Sequence, residues 1–401
     1  MLHRLMTFLR ERLQPSPGDW PTADAADDDR KQDPPPGLSP STRAALLYFC
    51  VGLGGLALAG LFVFSVTWPL VIRGHADFLG FYTGAALIGT DGLYSPAANR
   101  EVQQRLAGFS YHVVQYVRLP FYAAALRPLA LLPYQTAYWI FQTLSIAAAV
   151  IFVRLSRGPW QLTAAISVFL PLAFSIIGGQ DITFLMVICG VAVVLHRFGR
   201  DAAAGFVLSL CLLKFHLFVL VPLVLIRHRK WRMTGAAAAG VILWLAISTL
   251  VAGLDWPSQY LAVLMSAAVS PNVSLMPNIR GVFANSAWAV YASIVVLAVF
   301  LCAIVKLRDF EAAFGIALAG GILLNTHSYV QDCTFLLPAL ISAIRCGSPS
   351  ARGMALFLMT PIPYALVLFD HGGLFLLCVT VLALMRTADA VTSSRGLCSA
   401  T

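Results

Sequence analysis

The chain has 401 residues, of which 59% are hydrophobic and only 11% are charged. A soluble domain carries roughly 25% charged residues, so this composition excludes an ordinary soluble protein. The apolar residues form continuous runs rather than short alternating segments, and this pattern predicts membrane-spanning helices rather than a membrane β-barrel.

The net charge is +9, from 27 Lys and Arg against 18 Asp and Glu. The basic residues stand in short clusters between apolar runs, as in the cytoplasmic loops of membrane proteins. We therefore expect membrane lipids and no nucleic acid as partners. The eight cysteines form no C-x-x-C pattern and mostly lie within or beside apolar runs, so they are interpreted as packing residues.

Residues 1–43 differ from the rest of the chain. They combine an acidic run at Asp27-Asp28-Asp29 with a proline run at Pro34-Pro35-Pro36, which predicts a disordered cytoplasmic tail. Residues 45–72 contain no charged residue and predict a first membrane span. A transmembrane domain is expected over residues 44–390, followed by a cytoplasmic tail over 391–401.

Residues 73–133 are predicted to form a loop outside the cytoplasm. A turn is expected at 91–96 and an amphipathic helix near 100–106. The apolar stretch 119–133 is interrupted by Arg127-Pro128, so it is expected to lie against the membrane rather than to cross it.

Further spans are predicted in quick succession, for a bundle of about 10 to 12 transmembrane helices. The stretch 202–226 is apolar except for Lys214 and His216 in its middle. It predicts a pair of half-helices that enter and leave the membrane on the same side. The remaining spans are placed at 135–153, 161–177, 182–196, 234–253, 287–305, 311–326, 333–345, 353–369 and 373–386.

The basic residues test this topology. The short loops assigned to the outside carry only Arg280, whereas the loops assigned to the inside carry many. This asymmetry predicts that both termini are cytoplasmic. The first outer loop contains several arginines, but long loops cross the membrane largely regardless of charge. The inside residues are Arg154, Arg157, Arg197, Arg200, Arg227, Arg229, Lys230, Arg232, Lys306, Arg308, Arg345, Arg352 and Arg386.

With this topology, the polar residues that interrupt apolar runs collect on the outer side or in a cavity that opens there. Ionisable groups within a membrane are costly and are kept mainly where they face a site or a pathway. The residues concerned are His75, Asp77, Gln180, Asp181, Lys214, His216, Asn278, Arg280, Asn285, His327 and Asp332.

Each of these residues also has a structural interpretation. Asp77 could cap a helix or pair with Arg73 or His75, and Asp181 could cap the helix that follows it. Lys214 could bind a backbone carbonyl or a buried carboxylate instead of an anionic headgroup. His327 alone is typical of a histidine whose hydrogen bonds are satisfied within a turn.

A set of short motifs follows in order along the chain and resembles a known family. The motifs are Asp77-Phe78-Leu79-Gly80-Phe81-Tyr82, Gly92-Leu93-Tyr94, Leu119-Pro120-Phe121, Gly179-Gln180-Asp181, Leu213-Lys214-Phe215, Arg229-Lys230-Trp231-Arg232 and His327-Ser328-Tyr329 with Asp332. Over about residues 45 to 340, the chain resembles the GT-C glycosyltransferases, and most closely glycosyltransferase family 87, the polyprenyl-phosphate-mannose-dependent mannosyltransferases.

The resemblance implies a GT-C-like helical bundle in the plasma (inner) membrane, with the active site on the extracytoplasmic side. It implies transfer of a hexose, of which mannose is the first candidate, from a polyprenyl-phosphate sugar to a hydroxyl of a lipid or glycan acceptor. The transfer is expected to invert the configuration at the anomeric carbon. Asp77 is then the general base.

The resemblance also suggests roles for the other polar residues. Lys214, His216, Arg280 and His327 are candidates for binding the donor phosphate. His75, Tyr82, Gln180, Asp181 and Asp332 are candidates for binding the acceptor or the sugar. Some other GT-C enzymes bind a metal near the position of Asp181, but no metal or other cofactor is expected here, because protein cations can suffice for a monophosphate leaving group.

The alternative function is a transporter or flippase for a lipid-linked or small anionic substrate. Lys214 and His216 within an apolar stretch would suit that function as well. The sequence shows no clear inverted repeat, which many transporters contain, and this favours the enzyme.

Overall fold

The computed structural model describes residues 50, 52–55, 57, 72–107, 113–156, 160–266, 272–284 and 286–392. The predicted N-terminal tail, nearly all of the predicted first span, Asn285 and residues 393–401 lie outside the described residues. The described part contains helices and turns and no β-strand. The prediction of an all-α polytopic membrane protein is confirmed.

Three short helices make up the region between the predicted first span and the long helices. They are α1 (Asp77–Leu87), α2 (Pro96–Ala107) and α3 (Pro120–Ala130). α2 contains the predicted amphipathic stretch, and α3 is too short to cross a bilayer, as expected. The Phe121 N–H donates to Ser248 Oγ at 3.2 Å, which fixes the start of α3 against a long helix.

The rest of the bundle alternates long and short helices. In chain order these are α4 (Tyr134–Leu155), α5 (Trp160–Ser167), α6 (Leu170–Ile177), α7 (Ile182–Arg197), α8 (Asp201–Leu208), α9 (Val221–Arg227), α10 (Trp231–Ala252), α11 (Trp256–Leu264), α12 (Ile279–Phe283), α13 (Ala287–Lys306), α14 (Phe310–Leu324), α15 (Leu337–Cys346), α16 (Pro349–Met359), α17 (Ile362–Leu368) and α18 (Gly372–Thr392). 3₁₀ segments cover Ser209–Phe218, Val273–Leu275 and Val330–Leu336.

Prolines divide several stretches that were predicted as single spans. The stretch 161–177 becomes α5 and α6, with Pro171 at the start of α6. The stretch 353–369 becomes α16 and α17, which are bent by 52°. Proline lacks an N–H and clashes with the preceding turn, so it begins a new helix more readily than it continues one.

Within the described residues, five helical stretches are long and apolar enough to cross a membrane by themselves, or six if α16 and α17 count as one. The predicted 10 to 12 spans are not reached by this criterion, because several predicted spans are divided and two others, α7 and α14, are shorter apolar helices. The five are Tyr134–Leu155, Asp201–Phe218, Trp231–Ala252, Ala287–Lys306 and Gly372–Thr392.

The basic loops meet at one end of the bundle. His196 Nδ1 lies 2.6 Å from Asp201 Oδ1. Arg197, at the end of α7, pairs with Glu311 at the start of α14, and Lys230 lies 5.8 Å from the ring centre of Phe310. We call this the basic end. α7 begins and α14 ends at the opposite end, where the polar residues of the candidate site lie.

The segment 201–227 enters and leaves the bundle at the basic end, as its interrupted pattern predicts. Gly205 of α8 packs against the backbone of Met233 at the start of α10, and the Trp244 Nε1–H donates to Ser209 Oγ at 2.9 Å. α8 therefore runs parallel to α10. The chain leaves helical geometry at Lys214 (φ −130°, ψ 47°) and returns through α9. We call 201–227 the re-entrant segment.

Glycines allow the re-entrant segment to pack closely on α14. α14 is buried along almost its whole length. A methyl group on Gly321 would overlap the carbonyl oxygen of Leu217, and one on Gly320 would lie 2.6 Å from a Leu220 side-chain carbon. Small residues let backbones approach at helix interfaces within membranes. This packing holds Lys214 against the chain that follows α14.

The substitution Gly321→Ala should destabilise the fold by about 1–3 kcal/mol, because the new methyl group forces backbone elements apart. The midpoint of thermal unfolding in detergent measures this loss. Gly235→Ala is the matched control, because it is also a glycine within a helix but has open space around it. Equal midpoints for the two variants would contradict the packing described here.

Candidate active site

Asp77 stands at the first position of α1, at the end of the bundle opposite the basic end. Its backbone N–H donates to the carbonyl oxygen of Gly178 at 3.2 Å, and its carboxylate accepts a hydrogen bond from Gln180 Nε2. The side chain is half-buried. Asp77 therefore contacts the turn between α6 and α7.

The turn between α6 and α7 is built by two glycines. The Gly179 N–H donates to Ile176 O at 3.0 Å, and the Gln180 N–H donates to Ser175 O at 2.9 Å. These two bonds, with φ +62° at Gly179, form a Schellman motif. A Cβ on Gly179 would also lie 3.0 Å from Phe78 Cβ. Glycine is therefore favoured at position 179 for two reasons, the positive φ angle and the close approach of Phe78. The turn places Gln180 against Asp77.

Lys214 lies at the far end of the re-entrant segment and is buried. Its Nζ lies 2.7 Å from Asp332 Oδ1 and 3.7 Å from Asp181 Oδ1. It also donates to Gln180 Oε1 at 3.5 Å. The bond to a buried carboxylate that the sequence allowed for Lys214 is therefore present in the structure.

Asp332 reaches Lys214 because two local contacts fix the chain after α14. Its Oδ2 accepts the N–H of Tyr329 at 2.9 Å, which caps the 3₁₀ segment Val330–Leu336. Ser175 of α6 binds the carbonyl oxygen of Gln331 at 3.1 Å. These contacts bring two sequence-distant turns, at 178–180 and 327–332, onto one site.

Asp181 is paired with Arg118, which the sequence interpretation did not assign to the site. Arg118 Nε lies 2.7 Å from Asp181 Oδ2, and Nη2 lies 3.3 Å from Oδ1. Asp181 is only 1% exposed, and its side chain makes no cap hydrogen bond to α7. A buried carboxylate needs a cation, so the sequence predicts that Asp181 has a basic partner. The sequence does not choose among the arginines of the loop 73–133.

The cluster contains three carboxylates and two cations. Burial raises the pKa of Asp77 to about 6, although Lys214 and Arg118 oppose this shift. Burial would also raise the pKa of Asp181, but the charges of Arg118 and Lys214 outweigh it and hold that pKa below its usual value. Of Asp77 and Asp181, Asp77 is therefore the carboxyl group that takes up a proton at a pH of about 6.

Three predicted phosphate-binding residues lie around this cluster. His216 is half-buried, and His327 is exposed. Arg280 Nη1 donates to the carbonyl oxygen of Thr326 at 3.0 Å, which places it beside His327. Among the described residues, Arg280, His216 and His327 form no ion pair with a carboxylate. We call these three residues the rim residues.

One predicted site residue, Tyr82, lies apart from the charged cluster. The Tyr82 hydroxyl donates to the carbonyl oxygen of Leu132 at 2.8 Å, and its ring packs edge-on against Tyr134. The His75 ring lies 6.2 Å from that of Tyr134. Tyr82 therefore joins α1 to the start of α4, and the structure does not bring it to the carboxylates.

Both oxygens of Asp181 are engaged by Arg118, so this side chain is not arranged as a metal ligand. Within the part of the chain that the structure describes, no group of three or more His, Cys, Asp and Glu residues could hold a metal ion.

The substitution Arg118→Met should destabilise the protein by about 3–5 kcal/mol, because it leaves a buried carboxylate without its main partner. Asp181→Leu in the same chain should recover much of this loss, because both charges are then removed. Unfolding in detergent measures both variants. Arg105→Met is the control, since Arg105 and Glu101 form an exposed pair and such pairs contribute little. A double variant as unstable as Arg118→Met would contradict the pairing.

A comparison with family models matches residues 116–330, more than half of the chain, to "Glycosyltransferase family 87". The matched range includes Arg118, Gln180, Asp181, Lys214 and the rim residues, whereas His75, Asp77, Tyr82 and Asp332 lie outside it. No curated protein and no solved structure matches the chain. The chain belongs to glycosyltransferase family 87 and is a membrane glycosyltransferase rather than a transporter.

Proposed function

We propose that this enzyme transfers a hexose from a polyprenyl-phosphate sugar to a hydroxyl group of a lipid or glycan acceptor, and that mannose is the first candidate for this hexose. The observation that carries the proposal is the environment of Asp77. This carboxylate is half-buried, lies beside two buried ion pairs and has a pKa of about 6. A general base works best when its pKa lies near the operating pH.

Asp77 accepts the proton of the acceptor hydroxyl as the oxygen attacks the anomeric carbon of the sugar. The bond between that carbon and the phosphate oxygen breaks, and the polyprenyl phosphate leaves with the electron pair. One displacement of this kind inverts the configuration at the anomeric carbon.

The leaving phosphate needs positive charge or hydrogen-bond donors at the place where its charge develops. Lys214 and Arg118 are neutralised by Asp332 and Asp181. We therefore assign the phosphate to the rim residues, where Arg280 supplies a positive charge and the two histidines supply hydrogen-bond donors, and we assign Lys214 to the support of Asp77 rather than to direct phosphate binding.

We further propose that Asp77 faces the extracytoplasmic side of the plasma membrane and that both termini are cytoplasmic. The support is the position of the basic loops. They meet at the end of the bundle opposite Asp77, and clusters of Lys and Arg mark the cytoplasmic side of a membrane protein.

The substitution Asp77→Asn should lower sugar transfer by about 10²–10⁴-fold, because it removes the general base while nearly preserving shape. Purified protein is incubated with a panel of polyprenyl-phosphate sugars, and mass spectrometry identifies the donor that is consumed. The control is Asp91→Asn, an exposed aspartate of the same outer region, which should transfer sugar at the original rate.

The same variant should unfold at an unchanged or higher temperature. A carboxyl group whose pKa is raised by folding makes the folded state less stable once it ionises, so the loss of its charge removes this cost. An Asp77→Asn protein that transfers sugar at the original rate would show that Asp77 is not the base. Absence of transfer from every polyprenyl-phosphate sugar by the unsubstituted protein would contradict the donor class.

The transfer rate should depend on pH through Asp77. Because the base must be ionised, kcat/KM should be constant well above pH 6 and should fall to half of that value at a pH of about 6. An aspartate with the ordinary value of 3.8 would keep its activity down to about pH 4. Initial rates at low donor concentration between pH 4.5 and 8 distinguish the two profiles.

A further inference from the structure

The side-chain amide of Gln180 lies between Asp77 and Lys214 and has a defined direction. Gln180 Nε2 donates to Asp77 Oδ2, and Gln180 Oε1 accepts from Lys214 Nζ at 3.5 Å. Gln180 is 5% exposed. A lysine ammonium group donates only, and an ionised carboxylate accepts only. The amide satisfies both neighbours in one orientation and neither of them in the flipped one.

We propose that Gln180 is a positioning residue for the catalytic base and that Lys214, held by Asp332, fixes the direction in which its amide points. This inference rests on the proposed role of Asp77. It gives Gln180 a role that differs from acceptor or sugar binding, and it assigns a function to the buried ion pair.

The buried ion pair acts through its geometry. Asp332 Oδ1 holds Lys214 Nζ at 2.7 Å, and Asp181 Oδ1 lies 3.7 Å from the same nitrogen. The lysine is therefore fixed on one side by carboxylates and presents a remaining N–H to Gln180. Without the lysine, Asp77 alone would hold the direction of the amide, and the flipped orientation would lose one hydrogen bond instead of two.

The amide bond has two consequences for Asp77. It occupies Oδ2, so Oδ1 is the oxygen left to accept the proton of the acceptor hydroxyl. It also favours the ionised carboxylate, because it donates to the charged form. The other charged or titratable groups that influence Asp77 are Lys214, Arg118, Asp181, Asp332 and Tyr329.

The pH profile separates positioning from packing. The substitution Gln180→Leu keeps the approximate volume of the side chain and removes both hydrogen bonds. The acid limb of kcat/KM should move upward by about one pH unit. At the pH optimum, kcat should fall about tenfold, because the base is less well oriented, with the donor KM unchanged within about twofold.

Gln103→Leu is the matched control. Gln103 is equally buried, and its amide donates to Thr83 Oγ1 and to the carbonyl oxygen of Val114. The acid limb of this variant should coincide with that of the unsubstituted enzyme, even if the variant is less stable.

A second variant, Lys214→Met with Asp332→Leu, tests the link to the ion pair and keeps the net charge of the cluster. It should also move the acid limb upward, in part because Lys214 lowers the pKa of Asp77 more than Asp332 raises it. Adding Gln180→Leu to this double variant should move the limb by less than it does in the unsubstituted enzyme, because the amide is then held less firmly. Gln180→Met, which also removes both hydrogen bonds, serves as the test of positioning if Gln180→Leu does not fold.

An unmoved acid limb in Gln180→Leu would overturn the inference. Fully additive shifts would overturn the link between Lys214 and the amide. Either result can occur while Asp77→Asn remains inactive, so the inference can fail with the proposed function intact. Conversely, full activity of Asp77→Asn would overturn the proposed function itself.

Discussion

The site depends on the need to pair buried charge. Lys214 stands within an apolar re-entrant segment, where an unpaired ammonium group would be very costly. The pairing with Asp332 requires the chain after α14 to turn at 327–332, and the contact with Gln180 requires the turn at 178–180 to lie against the same nitrogen. Three segments far apart in sequence are thus held at one point.

The packing of the bundle serves this requirement. Gly320 and Gly321 let the re-entrant segment approach α14, and Gly179 lets the turn after α6 approach α1. Each glycine stands where a neighbouring element leaves no room for a side chain. The buried pairs Arg118–Asp181 and Lys214–Asp332 then fix the relative positions of these elements more specifically than apolar contacts do, because ion pairs need particular partners at particular distances.

In the proposed mechanism, stability and catalysis make opposite demands on Asp77. The two other carboxylates of the cluster have a cation within 2.7 Å, whereas the bond recorded for Asp77 is to a neutral amide. Burial without a direct cation raises its pKa to about 6. A directly paired aspartate would be a weaker base, so the arrangement gives up folding free energy in return for basicity at neutral pH.

The sequence by itself determined the class of fold, because 59% hydrophobic residues in continuous runs have no other stable arrangement in lipid. It also gave the re-entrant segment, since a lysine within an apolar run cannot face lipid, and the family, through motifs in a fixed order. Only the tertiary structure decided the partners of the charges. Arg118 could not be distinguished from the other arginines of its loop, and Lys214 could not be assigned to a carboxylate rather than a phosphate. Charge pairing depends on distances of a few ångströms between remote segments, and local sequence patterns carry no information about such distances.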